Sequence, residues 1–281
     1  MDRDLVQRCP PEETLHTRKH EGFRIGKAAE KLDDELNTYI ATYAKAECMT
    51  LATLFQSKLP RELRDMVYAH LLPRETYIVG RRDRNVQWLH SLRQNSCDHL
   101  FVHGYIPLDT MKEVSEMWYE VSTFIVLGFP FGRGSNPKRA SAALDFLLHD
   151  RWGLDIDVRQ HIKHIYIRLE YTGDVYGNVT QLAANLRRLL SLRADVRVVV
   201  QFQCTQKFSS TVTGQQVKEL VTKLQMVFPV LEEFVNGGKR VMVNVKGYNV
   251  FDVKVEKLNA QSWISQLTKV LSDKDLPVLQ L

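Results

Sequence analysis

The glycine-rich segment 128–137 is the first place in this sequence where chemistry could be sited. It reads Gly-Phe-Pro-Phe-Gly-Arg-Gly-Ser-Asn-Pro and lies between a strand-like and a helix-like stretch, where phosphate-binding loops occur. However, it lacks the Gly-Lys-Ser/Thr ending of a nucleoside-triphosphate loop, and its glycines do not have the dinucleotide-binding spacing. We therefore expect a plain surface loop here.

Two histidines and a cysteine form the next candidate, a metal site. His99 and His103 are four residues apart and Cys97 is close by, a spacing that could place two imidazoles on one metal in a helix. The intervening Leu-Phe-Val favours a strand, and no second ligand cluster follows. We expect neither a metal nor another cofactor.

The remaining titratable residues also suggest no catalysis. His161 and His164 are interpreted as helix-end residues, and the Glu116–Glu120 pair as a solvated helix face. Neither a Gly-x-Ser-x-Gly nor a His-Glu-x-x-His motif occurs. The sequence therefore favours a protein that is not an enzyme, and an enzyme with a dispersed site is kept as an alternative.

Composition excludes several broad classes of protein. The 281 residues are 44% hydrophobic and 25% charged, which is typical of a globular chain and not of a disordered one. No apolar run is long enough for a membrane helix, and the first residues lack the apolar core of a signal peptide. We expect a cytoplasmic or nuclear protein that does not bind membranes, with its four cysteines as free thiols.

The net charge of +5 is mild, so its distribution matters more than its size. Arg81, Arg82 and Arg84 form a basic loop that could contact a phosphate or an acidic partner, although such clusters are usually solvated. Nucleic acid is an unlikely partner on this pattern.

The chain divides into three regions by pattern. Residues 1–27 are polar and lack periodicity, which predicts a flexible tail. Residues 28–110 contain helical patterns and the basic loop, and residues 111–281 alternate strand-like and helix-like stretches. The second region restarts a helix near Pro60, in which Leu63, Val67 and Leu71 share one face.

The last region predicts an α/β fold. Strands with period-two alternation are expected near 165–171, 196–204, 241–245 and 251–255, and helical patterns separate most of them. Strands joined by helices predict a mostly parallel sheet. Because one side of each strand is polar, we expect an irregular two-layer stack with helices on one face and the other face open, resembling a leucine-rich-repeat array.

The predicted open face is a candidate binding surface. It would combine an aromatic ring, cations and amides, which suits an extended or polar partner, although such a face could also be simply solvated. Its residues are Tyr166, Arg168, Gln201, Gln203, Asn244 and Lys246.

One segment resembles a known family. Residues 59–68 read Leu-Pro-Arg-Glu-Leu-Arg-Asp-Met-Val-Tyr, which is similar to the opening motif of fungal F-box-like proteins. Weaker similarities to the same family follow at 116–124, and at 146–148 with 162–165, so the resemblance covers about residues 58–170. Many proteins of this family have no assigned function.

The resemblance implies a partner and a docking helix. An F-box docks on the small adaptor subunit of a cullin–RING ubiquitin ligase through apolar residues of its first helices. By matching position, those residues here are Leu59, Pro60, Leu63, Val67 and Leu71. The implied function is a substrate-recruiting interaction module, and the alternatives are an accessory α/β protein with no ligase role or a helix that only packs on its own core.

Overall fold

The computed structural model describes residues 12–79, 89–91, 101, 104–131, 137–171, 179–204, 214–245 and 248–272. The chain forms two units, one comprising residues 1–58 with 103–107 and the other residues 59–102 with 108–281.

Eight helices and seven strands lie in the described residues. The helices are α1 (Glu12–Lys58), α2 (Arg61–Leu71), α3 (Leu108–Val121), α4 (Pro137–Leu148), α5 (Val179–Arg187), α6 (Gly214–Leu224), α7 (Phe228–Asn236) and α8 (Ala260–Ser272). The strands are β1 (Thr76–Val79), β2 (Leu89–Ser91), β3 (Thr123–Phe131), β4 (His164–Tyr171), β5 (Arg197–Cys204), β6 (Arg240–Val245) and β7 (Tyr248–Asp252). Short 3₁₀ turns occur at Val158–Gln160, Arg188–Ser191, Gln225–Val227 and Val255–Lys257.

The first unit is dominated by α1, a 47-residue helix that is about 70 Å long at 1.5 Å per residue. The flexible tail expected over residues 1–27 is wrong from Glu12 onwards, because the helix already begins there. Residues 12–27 are rich in Glu, Lys and Arg, which are good helix formers, and the two glycines in this stretch, Gly22 and Gly26, oppose the helix by only about 1 kcal/mol each. Residues 1–11 lie outside the described residues.

A single mixed sheet forms the centre of the second unit. Its strand order is β2-β1-β3-β4-β5-β6-β7. The five strands β1, β3, β4, β5 and β6 are parallel, and β2 and β7 pair antiparallel at the two edges. The prediction of an α/β fold with a mostly parallel sheet is therefore confirmed.

The parallel strands follow one another across the sheet, so right-handed crossovers place the connecting helices on one face. The core lies between those helices and that face. Its central row is formed by residues paired across adjacent strands, each at most 3% exposed: Tyr77, Phe124, Ile165, Val198 and Val241. Trp118 of α3 packs on Tyr77 and Phe124 with ring centroids 4.8 and 5.4 Å away, and donates its indole N–H to the Tyr77 hydroxyl.

The boundary expected at residue 110 differs from the observed division. The strand β1 pairs with β3, and α2 packs on α3, so both belong with the sheet and not with the long helix. The loop expected over 128–137 is also shorter, because residues 129–131 pair with 169–171 after a register shift and extend β3 to Phe131. Residues 132–136 lie outside the described residues.

The second face of the sheet is not open throughout. Gln201 is 8% exposed and Asn244 is 4% exposed, so the prediction of an open face is wrong at these two side chains. Period-two alternation identifies which residues share a face, but it does not tell whether polar groups there meet water or each other. Here Arg168 donates from Nε to the Gln201 side-chain oxygen at 3.2 Å.

Candidate functional site

The helix α2, which carries the F-box-like motif, is attached to α3 through its charged side. Arg64 donates from Nε and Nη2 to the Glu113 carboxylate at 2.8 and 2.6 Å, and Tyr68 donates its hydroxyl to the same group at 3.1 Å. Arg64 also donates to the Leu59 carbonyl at 2.5 Å. The Arg64 and Glu113 side chains are only 12% and 9% exposed, so this is an ion pair largely removed from water.

Arg61 forms a second link one turn earlier in α2. Its Nη2 donates to Glu116 at 2.7 Å, and its Nε donates to Asp65 at 2.7 Å. The solvated face expected for Glu116 is wrong, because its carboxylate pairs with Arg61 and is 16% exposed. Arg64 and Arg61 therefore fix the orientation of α2 about its own axis.

This ion pairing also sets the protonation state of Glu113. Burial alone raises the pKa of Glu113, but the hydrogen bonds from Arg64 and the charge of Arg61 outweigh it, so its pKa lies below the usual range. Burial and then the charge of Glu113 raise the pKa of Tyr68, which keeps its hydroxyl protonated as a donor. At neutral pH Glu113 is therefore ionised and accepts hydrogen bonds, while Tyr68 is protonated and donates one to it.

The apolar side of α2 points away from this network. Leu63 is 45% exposed, Val67 is 38% exposed and Leu71 is 65% exposed. Leu59 is half-buried and Pro60 is exposed. An amphipathic helix normally buries its apolar stripe, whereas α2 buries a salt bridge and exposes leucines.

The residues proposed for the sheet face are only partly accessible. Tyr166 and Arg168 are half-buried, and Gln201 and Asn244 are buried. Gln203 lies in β5. Lys246 and the basic loop of Arg81, Arg82 and Arg84 lie outside the described residues.

The histidine candidates are separated by the structure. Cys97, His99 and His103 lie outside the described residues. His161 follows the 3₁₀ turn Val158–Gln160, whereas His164 is the first residue of β4, so the helix-end interpretation is wrong for His164. In the part of the chain that the structure describes, no three His, Cys, Asp or Glu residues lie close enough to hold a metal ion.

A cleft of about 610 Å³ lies at the amino ends of the parallel strands, bounded by α2, α3 and the second sheet face. Its polar walls come from Arg74, Lys163, His164, Tyr166 and Arg197. Further lining residues are Asp65, Met66, Ala69, Met117, Glu120, Val121 and Thr123. Burial and the charges of Arg197, Lys163 and Arg74 lower the pKa of His164, which favours its neutral form.

A second cleft of about 460 Å³ adjoins the first, because Arg197 lines both. It is lined by Lys239, Arg240, Met242, Asp252 and Lys254, together with Val241 and Val253. His164, Arg197 and Arg240 are directly paired across three adjacent parallel strands. We call the two clefts together the amino-edge groove.

Sequence reasoning does not find this groove. His164, Arg197 and Arg240 are each the first residue of a strand, a position that the sequence pattern can indicate. Only the strand order shows that these three residues lie side by side. Arg74 lies between α2 and β1, and no pattern in the sequence connects it with these strand residues.

Comparison of the chain with protein-family models, with curated proteins and with solved structures finds no match. The helices in the described residues include none that combines the length and the hydropathy needed to cross a membrane. The fold therefore defines the class only as an α/β protein with a mostly parallel sheet.

Proposed function

We propose that this chain is a non-enzymatic protein-interaction module that docks the adaptor subunit of a cullin–RING ubiquitin ligase and recruits a substrate to it. The docking residues would be Leu59, Pro60, Leu63, Val67 and Leu71 on α2 and at its start. The F-box-like segment stands ahead of strand–helix units in the chain, and the leucine-rich-repeat-like interpretation of those units remains part of this proposal.

One observation carries the proposal: α2 presents its leucines outward while its charged side is fixed to α3. The exposed fractions of Leu63, Val67 and Leu71 leave an apolar strip along a helix that the Arg64–Glu113 pair holds in one orientation. Contiguous exposed apolar residues with a polar surround are typical of interaction sites. Because the helix is already oriented, a partner would not need to order it on binding.

The test is direct binding of the full chain to a purified adaptor subunit, measured by isothermal titration calorimetry. We expect Leu63→Glu to weaken binding by about tenfold or more, since a charge would replace an apolar contact at the interface. The variant should fold normally, because substitutions at exposed sites usually change stability by no more than about 0.5 kcal/mol.

The matched control is Leu108→Glu. Leu108 is 63% exposed and also lies in the first turn of a helix, α3, so the same substitution meets a similar environment outside the docking strip. It should leave adaptor binding unchanged. If the unmodified chain does not bind the adaptor, or if both variants bind equally well, the ligase role fails. An accessory protein without a ligase role, or an enzyme with a dispersed site, then takes its place.

A further inference from the structure

The amino-edge groove has more positive charge than its own carboxylates neutralise. Asp65 is paired with Arg61, which lies outside the groove, and Glu120 is paired with Lys163. Among the side chains that the structure describes, the ion pairs do not include Arg74 or Arg197. The guanidinium of Arg197 donates instead to the Met242 sulfur at 2.9 and 3.1 Å, a weak acceptor.

The basic residues of the groove are arranged across neighbouring strands and not along one strand. The pairing of His164 with Arg197 and of Arg197 with Arg240 sets neighbouring positions about 4.8 Å apart. Arg74 lines the groove at one end and Lys254 at the other. An anionic ligand lying along this line would meet Arg197 and Arg240 on adjacent strands, with Arg74 towards one end and Lys254 towards the other.

The apolar lining limits what that ligand can be. Met66, Met117 and Val121 line the first cleft, and methionine adapts readily to varied apolar side chains. Asp252 and the paired carboxylates Asp65 and Glu120 make the positive charge discontinuous, which suits separate carboxylates better than a continuous phosphate backbone. In the described lining Tyr166 and the imidazole of His164 are the only aromatic rings, whereas single-stranded nucleic acids are held on several stacked aromatics.

We infer that the amino-edge groove binds an acidic peptide segment of a partner protein, in which spaced carboxylates alternate with apolar side chains. The carboxylates pair with Arg197, with Arg240 on the adjacent strand and with Arg74 towards one end, and the apolar side chains contact the methionine-lined wall. The inference does not depend on adaptor docking, because the groove is tested with no adaptor present.

The probe is a dye-labelled peptide of about ten alternating Glu and Leu residues, about 33 Å long when extended, and its binding to the full chain is followed by fluorescence anisotropy. Arg197→Ala should weaken binding about tenfold, the usual loss for one charge-assisted contact. Arg74→Ala, at a loop position between α2 and β1, should also weaken it and poses little risk to folding. Raising the salt concentration should weaken binding further.

Arg187→Ala is the matched control, because Arg187 is an exposed arginine on α5, paired with Glu233 and outside the groove. It should bind the peptide as the unmodified chain does. Three outcomes would overturn the inference: equal binding by the Arg74, Arg197 and Arg187 variants, tighter binding of a single-stranded oligonucleotide than of the peptide, or complete displacement of the peptide by millimolar inorganic phosphate.

Discussion

Replacing Glu113 by leucine should destabilise the second unit strongly, because Arg64 would lose its carboxylate while remaining largely buried. The Arg64 side chain is 12% exposed and makes two contacts to Glu113, at 2.6 and 2.8 Å. Breaking a buried ion pair by removing one partner costs about 3–5 kcal/mol. Neither Glu116 nor Asp65 can replace the lost carboxylate, since Arg61 already engages both of them at 2.7 Å.

The double variant Arg64→Met with Glu113→Leu should recover much of this loss. With both charges gone no buried ion is left uncompensated, and apolar replacement of a buried pair is often neutral or stabilising. Tyr68 still loses one acceptor, which costs about 1 kcal/mol. We therefore expect a coupling free energy of about 2 kcal/mol or more between the two positions.

The assay is urea unfolding of the four proteins in this double-mutant cycle, followed by tryptophan fluorescence. Hydrogen exchange of the α2 amides gives a local readout, and their opening free energy should fall in parallel. Glu233→Leu is the control, because Glu233 pairs with Arg187 at the same 2.6 Å but with side chains 37% and 50% exposed. Such a surface pair contributes little to stability, because water and salt screen its charges.

A loss below about 1 kcal/mol in Glu113→Leu would refute the reasoning, since a buried guanidinium would then tolerate the loss of its partner. So would simple additivity of the two single substitutions, because it would mean that Arg64 and Glu113 stabilise the unit independently.

The central fold could be predicted because the strands have a clear pattern. The alternation of apolar and polar residues in β4, β5 and β6 has a period of two, and the helical stretches between them favour parallel pairing. The helical stretch 214–236 is divided into α6 and α7 by a 3₁₀ turn at Gln225–Val227, and Pro229 lies in the first turn of α7, where its missing N–H leaves no hydrogen bond unmade. The strand β2 could not be predicted, because three residues are too few for a periodic pattern.

The orientation of α2 could not be predicted from its own sequence. The three- and four-residue spacing correctly groups Leu63, Val67 and Leu71, but periodicity does not tell which side of a helix faces the protein. The side of α2 that faces the protein is decided by Glu113 and Glu116 of α3, which pair with Arg64 and Arg61. The amino-edge groove could not be predicted for a similar reason, because its basic residues come from segments that are far apart in the sequence.

Two pH measurements test the charges assigned to these sites. The folded-state pKa of Glu113 lies below its usual 4.5, so the unfolded state binds more protons between these values. The stability that this carboxylate contributes should thus be complete above about pH 5 and lost as the pH falls through the folded pKa; acid unfolding curves of Glu113→Gln should show a shallower loss. The pKa of His164 lies below its usual 6.5, because burial and nearby cations, Arg197 foremost, disfavour the imidazolium. NMR titration of the His164 ring should therefore give a midpoint below 6.5, and Arg197→Ala should raise that midpoint while Arg187→Ala leaves it unchanged. If the His164 midpoint does not change in Arg197→Ala, another group must already neutralise the Arg197 guanidinium. The groove would then lack the charge that peptide binding requires.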